Sequence, residues 1–272
     1  MRIHIEHETI YSYDEPVSYS IQALRLRPLD TRAQRIVNWI VETPQQASVR
    51  EQRDVYGNVL QMLYVERPHT EIRLRVSGDV ETTELNGVVA SPIERFPPRF
   101  YLRRTLLTEP NEALTDLAEA ARATSDGTLL DLAHCLMHQV RDQLDYMIGE
   151  TDATTTAAQA LANGSGVCQD HAHVFIAAAR GLGLPARYVS GYLWIEEGSQ
   201  GEAAHAWAEA FIEDLGWVGF DVANRICPTE AHLRVASGLD YLEAAPIRGL
   251  RRGGGQETLD VRVQVAESGS QQ

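Results

Sequence analysis

A thiol attacks a carbonyl carbon only as the thiolate. It then needs a base that takes and returns a proton, and an acceptor that fixes which ring nitrogen of that base carries hydrogen. Three residues of this chain can fill those places: Cys168, then His205 37 residues on, then Asp221 16 residues beyond that. From Cys168 onward, Ala172, Phe175, Ala178, Ala179 and Leu182 fall on one helical face, and Gly181, Gly183 and Pro185 stop the helix. Asn163-Gly164-Ser165-Gly166 ends whatever precedes it, so Cys168 opens a helix. A helix N-terminus carries roughly half a positive charge, which favours the anionic sulfur. The backbone N–H of Cys168 is then aimed where an oxyanion would develop. The chemistry indicated is acyl transfer from an amide through a thioester.

The other two members need a sheet. Residues 186–195, 204–212 and 216–222 read as three successive strands rich in aromatic and β-branched side chains. Along the middle one His205, Trp207, Glu209 and Phe211 share a face. Ala204, Ala206, Ala208 and Ala210 line the other, which lets a neighbouring element approach closely. A simple hairpin turning near 214–216 would set Asp221 opposite Ala208 or Glu209, about 13 Å from His205 at ~3.3 Å per residue. Upstream, Thr156 and Gln159 form a capping box for a short helix over 157–162. Apolar periodicity predicts two longer helices, one opened by Asn111 and one over 129–147.

The first 90 residues carry period-two alternation instead, beginning with Ile3 and Ile5, and Tyr56-Gly57-Asn58 supplies a hairpin turn. Pro92, Pro97, Pro98 and Pro110 mark a connector. The organisation expected is a β-rich domain over 1–90, a linker over 91–110, and a catalytic core over 111–272. That core ends in one alternating strand (Leu259, Val261, Val263, Val265) and a disordered polar tail. The fold class is α+β.

Several other residues compete for attention. His171 and His173 follow the nucleophile closely and offer an alternative base, although a partner on the same helix turn seldom points along the line of attack. Asp170 favours the helix dipole but opposes a thiolate by charge, so capping or positioning is its expected role. His134 and His138 have metal-ligand spacing without a nearby third ligand. Cys135 and Cys227 read as packing thiols, and Tyr192, Trp194, Trp207, Phe211 and Trp217 as core aromatics. Tyr146 is a candidate second oxyanion donor.

The run Gly166-Val167-Cys168-Gln169-Asp170, the segment Ala186-Arg187-Tyr188-Val189-Ser190-Gly191-Tyr192 at the family's distance, and the contexts of His205 and Asp221 closely resemble the bacterial branch of the transglutaminase-like superfamily. The likeness spans nearly the whole chain. It implies a transglutaminase-like (papain-like) core behind a β-rich N-terminal domain, with Cys168 as nucleophile, His205 as general base and acid, and Asp221 as the orienting carboxylate. It also implies a transamidase, deamidase or cysteine protease. Where the family usually continues its aspartate with Pro-Thr-Asn, this chain reads Val222-Ala223-Asn224. A binding or scaffold protein that keeps the fold without turnover is the rival reading.

Composition limits the partners. The chain has 272 residues and a net charge of −14. Residues 1–107 hold 14 Arg against 14 acids, and residues 108–272 hold 10 Arg against 24 acids. Such a field repels nucleic acid and attracts cationic amines. No apolar run approaches the ~18 residues of a membrane span, and three scattered cysteines make no disulfide framework, so a cytoplasmic location is expected. The expected partners are a protein or peptide amide substrate and an amine acceptor. The chemistry proposed uses protein groups alone, so no cofactor and no metal are expected. The chain contains no Lys, which leaves it no lysine amine of its own to modify.

Overall fold

The computed structural model describes residues 1–89, 94–195 and 203–268. Five strands open the chain: β1 (Arg2–Leu24), β2 (Gln34–Glu42), β3 (Ser48–Arg53), β4 (Val59–Val65) and β5 (His69–Thr82), followed by a short β6 (Val88–Val89). They form an antiparallel sheet ordered β2-β5-β1-β4-β3. The inner side chains of β1 are fully buried, Ile3, Ile5 and Val17 in one period-two series and Leu24 in the series that follows the register shift after Val17. The turn between β3 and β4 is the Tyr56-Gly57-Asn58 turn, with Gly57 at φ 89°.

The second half begins with the helices α1 (Glu112–Thr124) and α2 (Leu129–Gln143). The Asn111 side chain caps α1 by accepting from Leu114 N–H, and Thr128 caps α2. Helix α2 stops before the expected end at 147. Asp145 and Tyr146 leave it as strand β7, pairing in parallel with β8 (Ser165–Gly166). Between these lies α3 (Ala157–Asn163), opened by the Thr156–Gln159 capping box and closed by Gly164 at φ 68°. Then come α4 (Cys168–Gly181), β9 (Ala186–Leu193), β10 (Ala204–Ile212), β11 (Gly216–Phe220), β12 (His232–Gly238) and the short α5 (Tyr241–Ala244). Their sheet runs β12-β9-β10-β11-β6, so β6 of the first half caps the second sheet. Helix α4 packs on β10 through Ala206, Ala208 and Ala210, where the small-residue face admits a helix at close range.

The C-terminal stretch differs from expectation. Two strands form there, β13 (Ile247–Gly253) and β14 (Glu257–Glu267), and both pair with β1 of the first sheet. Gly253, Gly254 and Gly255 all have positive φ, which permits the tight reversal between them. The periodicity of β14 was legible, but the sheet it joins is a long-range choice. The expected connector is also built in: Pro98–Leu102 and Leu106–Thr108 are short 3₁₀ turns, Tyr101 is buried, and its carbonyl accepts from Arg180 Nε (2.9 Å). The tail beyond 268 lies outside the described residues. Among the described residues no helix is long and apolar enough to cross a membrane.

The two sheets meet through an apolar cluster of Ile3, Ile5, Val80, Tyr192, Leu233 and Val235. Polar pairs bridge them too: the Tyr192 hydroxyl and His7 Nδ1 lie 2.7 Å apart, and Asn58 bonds both backbone groups of Ser237 (2.8 and 2.9 Å). Across the second sheet, fully buried Glu209 accepts from Arg187 on β9 and Arg234 on β12 (2.7 Å). Burial opposes the charge of Glu209, but the two guanidinium groups hold its pKa down to about 2. Removing one partner of such a group strands the others in a dry site. Glu209→Ala is therefore expected to lower unfolding free energy by about 3–5 kcal/mol in urea titration. Because the Glu209 pKa is depressed below its ordinary 4.5, its contribution is present above that value and is lost as pH falls toward 2.

Candidate active site

Cys168 is the first residue of α4, with Val167 as N-cap. The turn before it is held by Asp170, whose Oδ2 accepts from Val167 N–H (2.8 Å) and from the Thr151 hydroxyl (2.6 Å). Asp170 therefore fixes the turn that leads into Cys168, the capping role expected of it. Burial pushes its pKa up, against those hydrogen bonds. A Cβ on Gly166 would lie 2.6 Å from this carboxylate, so glycine is the residue that lets the chain pass. As the first helical residue, Cys168 has an N–H with no intrahelical acceptor, free to face a developing oxyanion. Tyr146, in β7, runs beside Gly166 and so flanks the same turn.

The register of β10 with β11 brings the other two residues together. Ile212 pairs with Gly216 and Ala208 with Phe220, so the next step sets Asp221 opposite Trp207, one pair from His205 on the same face. The expected 13 Å separation is overturned. Asp214 at φ 73° and Gly216 at φ 81° tighten the connection and shift the register by a residue. His205 Nε2 lies 2.8 Å from Asp221 Oδ2. That bond places hydrogen on Nε2 and leaves Nδ1 for Cys168, whose side chain interacts with the ring. His205 is buried, which disfavours its cation. The bonds to Asp221 and Cys168 and their charges outweigh burial and push its pKa up to about 10.

Asp221 is completely buried. Its Oδ2 also accepts from Asn224 Nδ2 (2.7 Å) and His232 Nε2 (3.0 Å), and Oδ1 accepts from Asn224 N–H (3.3 Å). Burial opposes its charge, yet the bonds from His205 and His232 hold it well below the carboxylate range. The loop that departs from the family's Pro-Thr-Asn keeps its asparagine in contact with the carboxylate. Asp221 and Ile226 exchange backbone bonds (2.8 and 3.2 Å), and Arg141 Nε donates to the Ala223 carbonyl (3.0 Å).

His171 and His173 do not serve the thiol. Both ring nitrogens of His171 face backbone carbonyls, of Val167 (2.9 Å) and Leu144 (3.2 Å), and His173 Nε2 accepts from Tyr241 N–H (3.1 Å). His134 packs edge-on against Phe220, and Cys135 and Cys227 pack against the helical core. Trp207, Trp217 and Tyr192 are buried. Trp207 stands edge-on to His232 at 5.5 Å and tilted to His205 at 6.3 Å, so it braces both rings. Sequence reasoning missed Asn224 and His232. Asn224 was visible as the third residue after Asp221, whereas His232 depends on the pairing of β12 with β9.

Among the described residues, His205, Asp221 and His232 form a grouping with ligand atoms within 4.8 Å that could hold a metal. The hydrogen positions argue for hydrogen bonding instead. Thr229 N–H donates to His232 Nδ1 (3.0 Å), so the neutral ring carries its hydrogen on Nε2, the atom a metal would require bare.

A helix-borne thiol, an imidazole from an adjacent sheet and a buried carboxylate behind it are the groups that thiol-based acyl transfer requires. Residues 115–222 match the transglutaminase-like superfamily core, and residues 3–81 match the bacterial transglutaminase-like N-terminal region. The chain is 30% identical over 279 residues to an uncharacterised protein of Mycobacterium leprae, covering 97% of this chain and 98% of that one. It is 30% identical over 110 residues to a protein-glutamine gamma-glutamyltransferase of Pseudomonas aeruginosa, which is 36% of this chain and 16% of that protein. A Cytophaga hutchinsonii crystal structure, provisionally assigned as a cysteine protease, superposes with a TM-score of 0.77 at 20% identity, covering 99% of this chain and 91% of that one. The chain belongs to the transglutaminase-like superfamily.

Since the His205 pKa is raised above its ordinary 6.5, the stability it contributes is fully present below about 6.5 and is lost as pH rises through about 10. Thermal unfolding of wild type and His205→Gln across this window should show a stability difference that narrows toward the alkaline end.

Proposed function

We propose that this protein catalyses thiol-dependent acyl transfer from an amide, with Cys168, His205 and Asp221 as its catalytic triad. The observation that carries the reading is the Asp221–His205 bond, which commits Nε2 and turns Nδ1 toward the thiol. In the first step the Cys168 sulfur, as the thiolate beside the His205 cation, attacks the amide carbonyl carbon. The oxyanion is received by the Cys168 backbone N–H, with Tyr146 beside it as the candidate second donor. Collapse of the tetrahedral adduct breaks the C–N bond. His205 returns the proton to the departing nitrogen, which leaves as ammonia or an amine, and the acyl group stays on sulfur as a thioester. A water or an amine, deprotonated by His205, then displaces the sulfur.

The substrate proposed is a protein or peptide amide, and a groove between the two halves of the molecule supports that size of ligand. It encloses about 470 Å³ and is walled by Tyr11, Tyr13, Tyr241, Ile247 and Leu259. Tyr241 of the groove stands edge-on to Tyr188 of the second sheet. The acidic excess of residues 108–272 favours a cationic amine as acceptor. A reducing, cytoplasmic setting would keep the thiol free.

Ammonia release from a glutamine-containing peptide, followed with and without a primary amine and alongside peptide-bond cleavage, tests the proposal. Amine incorporation defines a transamidase, ammonia with water incorporation a deamidase, and chain cleavage a protease. Cys168→Ala is expected to abolish whichever is found, and His205→Ala to lower it roughly 10²–10⁴-fold. Turnover that survives in Cys168→Ala refutes the assignment.

A further inference from the structure

We infer that His232 is a positioning residue of this site, a second imidazole that shares the Asp221 carboxylate with His205 and sets how firmly His205 holds its proton. This rests on the triad reading. The geometry behind it is independent of activity.

His232 opens β12 and its ring is nearly buried. The ring is fixed from the side away from Asp221: Thr229 N–H donates to Nδ1 (3.0 Å), while His232 N–H donates back to the Thr229 carbonyl (3.0 Å). The turn therefore imposes the tautomer with hydrogen on Nε2, and that hydrogen meets Asp221 Oδ2 at 3.0 Å. His205 Nε2 and Asn224 Nδ2 converge on the same oxygen, at 2.8 and 2.7 Å. Three donors on one oxygen disperse its charge. A carboxylate so loaded is a weaker acceptor for each donor than one serving His205 alone. Trp207, wedged against both rings, keeps the angle between them.

The charged surroundings do not offer His232 another task. In front stands His205. Glu209 and Arg234 line a cavity of about 50 Å³ that also borders His232, and they are paired with each other and, through Glu209, with Arg187. Arg141 is bound to the Ala223 carbonyl of the Asp221 turn. Removing the His232 donor leaves Oδ2 to fewer partners, so the carboxylate grips the His205 cation more tightly and the His205 midpoint rises. A tighter grip slows return of the proton to the leaving nitrogen, which lowers kcat and leaves KM largely unaffected.

Nitrogen-15 spectra of the imidazoles test this without turnover. In the wild-type protein, His232 is expected to show hydrogen on Nε2 and a bare Nδ1; the opposite tautomer overturns the inference, whatever the variants do. In His232→Leu, folded as judged by near-ultraviolet circular dichroism, the His205 midpoint should rise by about one pH unit. His232→Gln, which can offer an amide N–H at a similar reach, should restore it most of the way. An unchanged midpoint in His232→Leu, or equal shifts in both variants, contradicts the proposal. Activity lost in Cys168→Ala alongside an unmoved His205 midpoint in His232→Leu would reject this inference while leaving the proposed function standing.

Discussion

A carboxylate with no exposure to water must be satisfied by the protein or lose its charge. Asp221 is such a group, and much of the second half of the chain can be understood as the means of satisfying it. Two imidazoles and both nitrogens of Asn224 surround it, and they come from β10, from the start of β12 and from the turn after β11. A charge held this way in a medium of low polarity acts strongly on its neighbours. His205 is the neighbour that matters, since its ring also interacts with the Cys168 side chain. The polarity of the whole arrangement, from carboxylate through imidazole to thiol, follows from one buried anion.

The strand that carries His205 is held along its length. His205, Trp207 and Glu209 alternate along one face of β10, and each is locked differently: by a carboxylate, by ring contacts on two imidazoles, and by two guanidinium groups. The opposite face is alanine, so α4 settles close to the strand and its N-terminal thiol stays at a fixed depth. The N-terminal sheet contributes by closing the far side. Its apolar contacts with Tyr192, Leu233 and Val235 hold β9 and β12, the strands that frame β10 and His232.

How much of this was legible follows from the range of each interaction. The helix that begins at Cys168, the capping box at Thr156, the alternating strands and the alanine face are local patterns of period 3.6 or 2, and the structure carries them. The pairing of Asp221 with His205 was carried by the resemblance, whereas a simple hairpin count sets them apart, because register depends on the connection at Asp214 and Gly216 and one residue of slip changes the neighbours of every side chain. The return of β13 and β14 to β1, and the arrival of His232 behind Asp221, are set by strand pairings across the whole chain, for which no spacing rule exists. At the departure Val222-Ala223, the contact to the carboxylate is made by Asn224, the residue of the family's Pro-Thr-Asn that this chain retains.

The most direct test of the account is the rate at which iodoacetamide alkylates Cys168 at neutral pH in the wild-type protein and in Asp221→Asn, with the site of modification read by peptide mass spectrometry. The account predicts that the change removes the charge sustaining the His205 cation, so alkylation of Cys168 slows at least roughly tenfold while Cys135 and Cys227 are unaffected. Equal rates at Cys168 in the two proteins would show that the buried carboxylate does not govern the thiol.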